Sequence, residues 1–186
     1  MSGIQQPYPW FALHVSPGRE KFVAAHLRSR GYTEFLPLYR TRRAWSDRIK
    51  ELHLALFPGY LFCRFDPDNR LPVLSTPRVH LIVGVGKTPV PVDESEIRAV
   101  QLICNSGLGP SPWPYLQMGQ RVRIEDGPLF GVEGILLAVK NSHRLVVSVT
   151  LLQRSVAVEI DQRWARPVGP LLRRPEAGQP FLWAGA

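Results

Sequence analysis

The sequence predicts an α/β domain of the α+β type, with an antiparallel sheet flanked by helices, followed by a small all-β barrel. Strand and helix patterns are mixed over the first ~105 residues. A segment rich in Pro and Gly and without charge then follows. After it only short strand patterns recur, separated by turns. We therefore expect an N-terminal domain over 7–106, a linker over 107–117, a barrel over 118–168 and a flexible tail over 169–186.

The N-terminal elements follow from hydrophobic periodicity and from helix caps. Ser16 and Pro17 favour a helix start, and Gly31 favours a helix end. Asp93, with Glu96 three residues later, indicates a capping box at the start of a second long helix. The predicted order is strand Trp10–Val15, helix Glu20–Arg30, strand Tyr32–Tyr39, a basic hairpin or loop Arg40–Lys50, a strand within LFPGYLFCRF (56–65), a short helix Leu71–Thr76, strand Val79–Val85 and a helix from Asp93.

The second domain is predicted from four short strand patterns with turns between them. Gly134 falls where a strand restarts, at a position where a side chain would crowd its neighbours. Many valines are present, and β-branched residues favour strands, so we expect a stable barrel. The predicted strands are Gln120–Ile124, Val132–Lys140, Arg144–Leu152 and Ser155–Ile160.

Composition and motifs exclude several classes of function. The 186 residues carry a net charge of +8, which favours contact with a polyanion. Neither the two cysteines nor the five histidines show metal-ligand spacing, so we expect no metal or cofactor. The segment Gly84–Thr88 ends like a phosphate-binding loop, but Leu81 stands where that motif needs its first glycine. We expect a cytoplasmic protein that is not an enzyme and does not enter a membrane.

The strand within residues 56–65 carries large apolar side chains on both faces. Because side chains alternate along a strand, one face is aliphatic and the other aromatic and basic: Leu61, Cys63 and Phe65 against Tyr60, Phe62 and Arg64. The aliphatic face suits a core under helices. The aromatic face has the composition of a protein-binding surface, which would leave Tyr60 and Phe62 partly exposed in the free protein. A strand buried on both faces is the alternative.

A second candidate site is a basic cluster with one aromatic residue inside it. Basic side chains attract phosphates and an aromatic ring stacks on bases, so the cluster suits a single DNA strand. A solvated basic hairpin accounts for the same pattern. The cluster contains Arg40, Arg42, Arg43, Trp45, Arg48 and Lys50.

Two parts of the chain resemble one protein family. Residues 119–134, GQRVRIEDGPLFGVEG, resemble a KOW motif, which belongs to SH3-like barrels. The segments WFAL (10–13) and FPGYLF (57–62), with a helix carrying Glu20 and Lys21 between them, are similar to the N-terminal domain of NusG-family transcription factors. The phrase LFPxYLF followed by Phe65-Asp66-Pro67 is especially similar to specialised paralogues such as RfaH. The resemblance covers about residues 9–168.

The resemblance implies an elongation or antitermination factor that suppresses pausing or termination. Its N-terminal domain would grip the clamp helices of RNA polymerase's largest subunit. The basic cluster, by its own composition, suits the displaced non-template DNA strand. The implied polymerase-binding set is Trp10, His14, Phe57, Pro58, Tyr60 and Phe62. The barrel would recruit ribosomal protein S10 or Rho, with Leu129 and Phe130 as contact candidates. We expect a monomer. Three alternatives remain: a housekeeping NusG acting with Rho, a ribosome-associated RNA-binding KOW protein, and an unrecognised enzyme.

Overall fold

The structure is a computed structural model that describes residues 8–45, 48–113, 119–139 and 142–168. Within those ranges the side chains of residues 43–45, 48–49 and 139 are not described. The predicted tail and residues 114–117 of the predicted linker lie outside the described residues. Over the described ranges, every helix is too short or too polar to cross a membrane.

The N-terminal half contains an antiparallel sheet with strand order β2-β5-β1-β6, in which β9 also pairs with β1. The predicted strand Tyr32–Tyr39 is in fact divided between β2 and β3, and Pro37, which has no N–H to donate, lies at the division. The elements are β1 (Trp10–Val15), α1 (Glu20–Ser29), β2 (Thr33–Phe35), β3 (Leu38–Trp45), β4 (Arg48–Ala55), β5 (Tyr60–Arg64), α2 (Leu71–Leu74), β6 (Val79–Ile82), β7 (Gly84–Val85), β8 (Thr88–Pro89), β9 (Pro91–Val92) and α3 (Glu94–Asn105).

One face of this sheet forms a core with α1. The aliphatic face of β5 packs there, as its alternation predicts, together with Phe11 and Leu13 of β1 and with Val23 and Leu27 of α1. The rings of Phe11 and Phe65 have centroids 4.6 Å apart. Because α1 covers this face, the aromatic face of β5 is turned to the opposite side of the sheet.

The C-terminal half is an all-strand unit, which confirms the predicted barrel. Its antiparallel sheet has the order β10-β14-β13-β12-β11-β15. The strand β10 falls inside the predicted linker and pairs with β14 at one edge of the sheet, a position where Pro112 is tolerated. The strands are β10 (Ser111–Trp113), β11 (Gln120–Ile124), β12 (Glu133–Val139), β13 (Ser142–Val149), β14 (Arg154–Ile160) and β15 (Ala165–Pro167).

Gly134 confirms the crowding that its position predicts. A Cβ at this residue would lie 2.6 Å from the carbonyl oxygen of Val146 and 2.9 Å from a methyl carbon of Leu145. Distances this short force the backbone to move, so the pairing of β12 with β13 requires glycine at this position.

The two halves share one apolar core. Phe62, Ile97 and Ile103 of the N-terminal half belong to the same buried cluster as Val147 and Leu129 of the barrel. The helix α3 lies against β13 and against the single-turn 3-10 helix Gly127–Leu129. The barrel is therefore docked on α3, beside the aromatic face of β5.

Candidate functional site

The centre of the aromatic face is buried, which corrects part of the sequence-based prediction. Phe62 has 0% exposure instead of the partial exposure expected for a free binding surface. The rings of Phe35 and Phe57 lie 6.0 and 5.9 Å from the Phe62 ring, between centroids. These neighbours come from β2 and from the turn before β5, so local alternation could not reveal them. Phe62 is a core residue in this arrangement.

Trp10 also lies in the core, beneath a charged side chain. The guanidinium of Arg64 is 4.6 Å from the centre of the Trp10 ring. The same guanidinium donates to the carbonyl oxygen of Tyr8 at 2.7 Å and to the carboxylate of Glu94 at 2.5 Å. Among the described residues, the buried indole N–H of Trp10 has no hydrogen-bond partner. Arg64 thus joins β5 to the first turn of α3 across the edge of the aromatic face.

The candidate site reaches the surface at Tyr60. This ring is half-buried, and the ring of His14 lies 5.1 Å away on the neighbouring strand. His80 lies 5.5 Å from His14, and its Nε2 is 2.9 Å from the hydroxyl of Ser16. On its other side Tyr60 meets the barrel, because the guanidinium of Arg154 lies 5.3 Å from the ring centre.

The turn before Tyr60 is fixed by a buried carboxylate. Glu20 of α1 is buried and accepts a hydrogen bond of 2.8 Å from the backbone N–H of Gly59. Gly59 has φ +81°, a conformation that side chains disfavour, and its carbonyl accepts from the N–H of Val15 at 2.8 Å. Pro58 is exposed at this turn. The sequence offered no sign that Glu20 positions the turn, because the two lie 39 residues apart.

The predicted polymerase-binding set is therefore split by burial. Three of its members are buried in the core, whereas the other three reach the surface at one end of β1 and β5. The buried members are Trp10, Phe57 and Phe62, and the surface members are His14, Pro58 and Tyr60.

A second contact joins α3 to the barrel. The carboxylate of Glu96 accepts from the hydroxyl of Thr150 at 2.6 Å and from the Thr150 backbone N–H at 3.2 Å. Asp93 is the helix cap, as predicted, and accepts from the N–H of Ser95 at 2.7 Å. A hydrogen bond of 2.5 Å from the Ser95 hydroxyl, together with the one from its backbone N–H, lowers the pKa of the Asp93 carboxyl. The sequence pattern assigned Glu96 to the capping box, but its carboxylate binds the barrel instead.

The two residues predicted for partner binding by the barrel differ in exposure. Leu129 is 0% exposed and belongs to the shared core, so its proposed availability to a partner is wrong for this arrangement. Phe130 is 70% exposed. Of the two predicted contact residues, only Phe130 reaches the surface, and it remains the contact candidate.

The predicted basic cluster lies on the hairpin of β3 and β4. Arg42 stands opposite Glu51 and Arg43 opposite Lys50 in the register of the two strands. Arg42 and Lys50 are exposed, and the side chain of Arg40 lies 3.6 Å from the carboxylate of Glu51. The side chains of three predicted members, Arg43, Trp45 and Arg48, lie outside the described residues.

Metal binding and thiol chemistry were also considered for the described part of the chain, from the positions of its ligand residues and from the burial of its cysteines. No group of three or more His, Cys, Asp or Glu residues there is placed to hold a metal ion. Burial raises the pKa of the Cys63 thiol to about 12 and that of Cys104 to about 11, so both are protonated at neutral pH.

Comparison with known proteins places the chain in a family. A family model described as "Transcription termination factor nusG" matches residues 8–101, half of the chain. The chain belongs to the NusG family. The "Transcription termination/antitermination protein NusG" of Escherichia coli O6:H1 is 33% identical, over 82% of this chain and 92% of that protein. The protein of that name from Thermus thermophilus is 29% identical, over 82% and 94%.

Other relatives match over a shorter stretch. The NusG protein of Helicobacter pylori strain J99 is 29% identical, over 61% of this NusG-family chain and 66% of that protein. A solved structure, described as domain interaction in Thermotoga maritima NusG, superposes with a TM-score of 0.55. It is 19% identical and covers 87% of this chain and 97% of that one, which supports the fold.

Proposed function

We propose that this NusG-family protein is a transcription elongation and antitermination factor that binds RNA polymerase through the surface around Tyr60. The relatives named above are transcription termination/antitermination proteins. The observation that carries the proposal is a partly exposed tyrosine, flanked by His14 and Pro58, at one end of the N-terminal sheet. Aromatic anchors of this kind dominate the free energy of protein association. The partner is the clamp-helix region of the polymerase's largest subunit.

The mechanism is binding without catalysis. A factor that binds the elongating state of the polymerase more tightly than the paused state shifts the population toward elongation by that difference in affinity. A terminator template transcribed in vitro tests this activity. We expect read-through to increase with the protein present. A decrease that appears only when Rho is added would instead support the housekeeping alternative.

The polymerase-binding surface is tested by replacing Tyr60. We expect Tyr60→Ala to weaken binding to purified polymerase by roughly thirtyfold, the effect of about 2 kcal/mol from a central anchor. Phe22→Ala is the matched control, because Phe22 is exposed on α1, on the opposite side of the sheet. Equal affinities of the two variants would refute the surface.

The basic hairpin is proposed to contact the non-template DNA strand. Exposed Arg42 and Lys50 are available to phosphates. Reversing both to Glu should weaken binding of single-stranded DNA. It should also reduce the slope of log affinity against log salt by about 0.7 for each phosphate that is no longer neutralised. Lys87→Glu, in the turn between β7 and β8, is the control. An unchanged slope in the double variant would remove the hairpin from the proposal.

The barrel is proposed to recruit a second partner through Phe130, with ribosomal protein S10 and Rho as the partners that the family resemblance implies. Phe130→Ala should abolish capture of the partner while leaving the barrel folded, because the ring is 70% exposed. Capture of both purified proteins is measured in parallel. Retention of both by Phe130→Ala would exclude this residue as the anchor.

A further inference from the structure

A groove lies between α1 and the segment that begins with β2, on the side of the sheet that α1 covers. Its cavity volume is about 360 Å³, which falls within the range of ligand-binding clefts. The floor is mostly apolar, and three charged side chains stand around it. The lining residues are Lys21, Ala24, Ala25, Arg28, Glu34, Phe35, Leu36 and Leu38. The contacts proposed above with polymerase, DNA and the partner of the barrel use none of these residues.

Two cations flank the groove because of their spacing on α1. Lys21 and Arg28 are seven residues apart, so they lie on one stripe of the helix, about 10.5 Å apart along its axis. Between them stand Ala24 and Ala25, whose single methyl groups leave space that larger side chains would fill. Both cations are exposed. The groove therefore offers an apolar floor with a positive charge towards each end.

Arg28 is held in position by a carboxylate of β2. Its Nε donates to Oε1 of Glu34 at 2.9 Å, and its Nη2 contacts the same oxygen. The Glu34 side chain is only 6% exposed, whereas that of Arg28 is 72% exposed. An anchored guanidinium loses little conformational freedom when it binds a further anion. The acid of α1, Glu20, is buried against Gly59, so the exposed surface of this helix carries positive charge alone.

The groove runs beside a free edge of the sheet. The strand β2 is the terminal strand of the order β2-β5-β1-β6, and among the described strands it pairs with β5 alone. An edge strand turns the backbone donors and acceptors of alternate residues away from its neighbour, where an extended peptide can add as a further strand. Nucleic acid has no such backbone, so this edge favours a peptide as the occupant of the groove.

We propose that the groove between α1 and β2 binds an extended acidic segment of a partner protein. The segment adds to the free edge of β2, places one apolar side chain in the cavity and directs one acidic side chain to each cation. Alternate residues of a strand share a face, so acids four positions apart lie on one face and span roughly 13 Å. That span suits Lys21 and Arg28, because their long side chains reach beyond the ends of the cavity. The recognised pattern is therefore acid-x-apolar-x-acid.

The proposal is tested with two synthetic peptides of identical composition and with the full chain, in the absence of polymerase. The first peptide, TETLTET, carries the pattern, whereas the second, TTLEETT, places its acids side by side. Fluorescence anisotropy of the labelled peptides measures both affinities. We expect the chain to bind the first peptide more tightly than the second. The affinity for the first should fall as the salt concentration rises, because exposed charges contribute to it.

Two substitutions address the groove itself. Lys21→Glu should weaken binding of the first peptide by roughly tenfold, because an attraction becomes a repulsion. Ala25→Leu should also weaken it, because the larger side chain fills the cavity, and leucine is well tolerated at an exposed helix position. Lys87→Glu, which reverses an exposed cation in the turn between β7 and β8, is the matched charge control. Urea unfolding establishes that each variant is folded.

Backbone amide shifts of the ¹⁵N-labelled chain locate the bound peptide. Shifts centred on α1 and β2, with binding weakened by both groove substitutions and unchanged in Lys87→Glu, support the proposal. Absence of peptide binding, equal affinities for the two peptides, or unchanged binding in either groove variant overturns it. A poly-dT oligonucleotide is titrated in parallel. If Lys21→Glu weakens binding of the oligonucleotide and the peptide does not bind, the groove is a nucleic-acid surface and the peptide proposal is wrong.

Discussion

Phe62 and Tyr60 lie on the same face of β5, yet the structure predicts different effects on stability when each is replaced. Phe62 is fully buried between the rings of Phe35 and Phe57. Replacing a buried Phe by Ala costs about 3–5 kcal/mol of unfolding free energy. Tyr60 is half-buried, and its specific contact with Arg154 contributes about 0.5–1 kcal/mol.

These free energies convert into distinct melting temperatures. For a chain of this length, 1 kcal/mol corresponds to about 2–4 °C. Phe62→Ala should therefore lower the midpoint by roughly 6–20 °C, and Tyr60→Ala should lower it by less, because the Tyr60 side chain is only partly buried. Circular dichroism and calorimetry measure both midpoints. Phe62→Leu keeps most of the apolar volume and should lower the melting temperature less than Phe62→Ala does. Equal shifts for the two alanine variants would refute the division of β5 into a core ring and a surface ring.

Three further predictions concern the turn before Tyr60, the barrel and acid stability. Glu20→Ala should lower the free energy of unfolding, measured in urea, by about 1–3 kcal/mol, because the buried N–H of Gly59 is left without an acceptor. Glu20→Gln keeps an acceptor oxygen and should lower the free energy of unfolding less. Equal effects of the two substitutions would contradict this role of Glu20. Gly134→Ala should destabilise the barrel by about 1–3 kcal/mol, because the added Cβ would lie 2.6 Å from a backbone oxygen. An unchanged unfolding transition of the barrel would disprove the crowding. Hydrogen bonds from Arg163 lower the pKa of Asp161 from 3.8 to about 2. The ionised carboxylate therefore stabilises the fold above about pH 4, and this contribution disappears as the pH falls through about 2. Asp161→Asn should be less stable than the parent at pH 7 and equally stable at the acid limit. A carboxyl titration by NMR with a midpoint near 4 would contradict the shift.

The local pattern of apolar, polar and turn residues in the sequence was enough to predict most of the fold. Alternation in β5 identified the face that packs under α1, and the strand patterns after residue 118 identified the barrel. The cap at Asp93 and the crowding at Gly134 also follow from the sequence pattern. These features depend on backbone geometry and on side-chain periodicity within a few residues, so the sequence by itself determines them. The motifs further pointed to the NusG family, which the similarity to known NusG proteins confirms.

Tertiary structure decided which apolar surfaces are free. Periodicity shows which side chains share a face but not what covers that face, because the covering residues come from distant parts of the chain. Phe62 is therefore buried by rings from two other segments, and Leu129 by the shared core. Glu96 satisfied a capping pattern in sequence, yet its carboxylate binds Thr150, 54 residues away. The docking of the barrel beside Tyr60 arises from such long-range contacts, and only the folded chain brings them together.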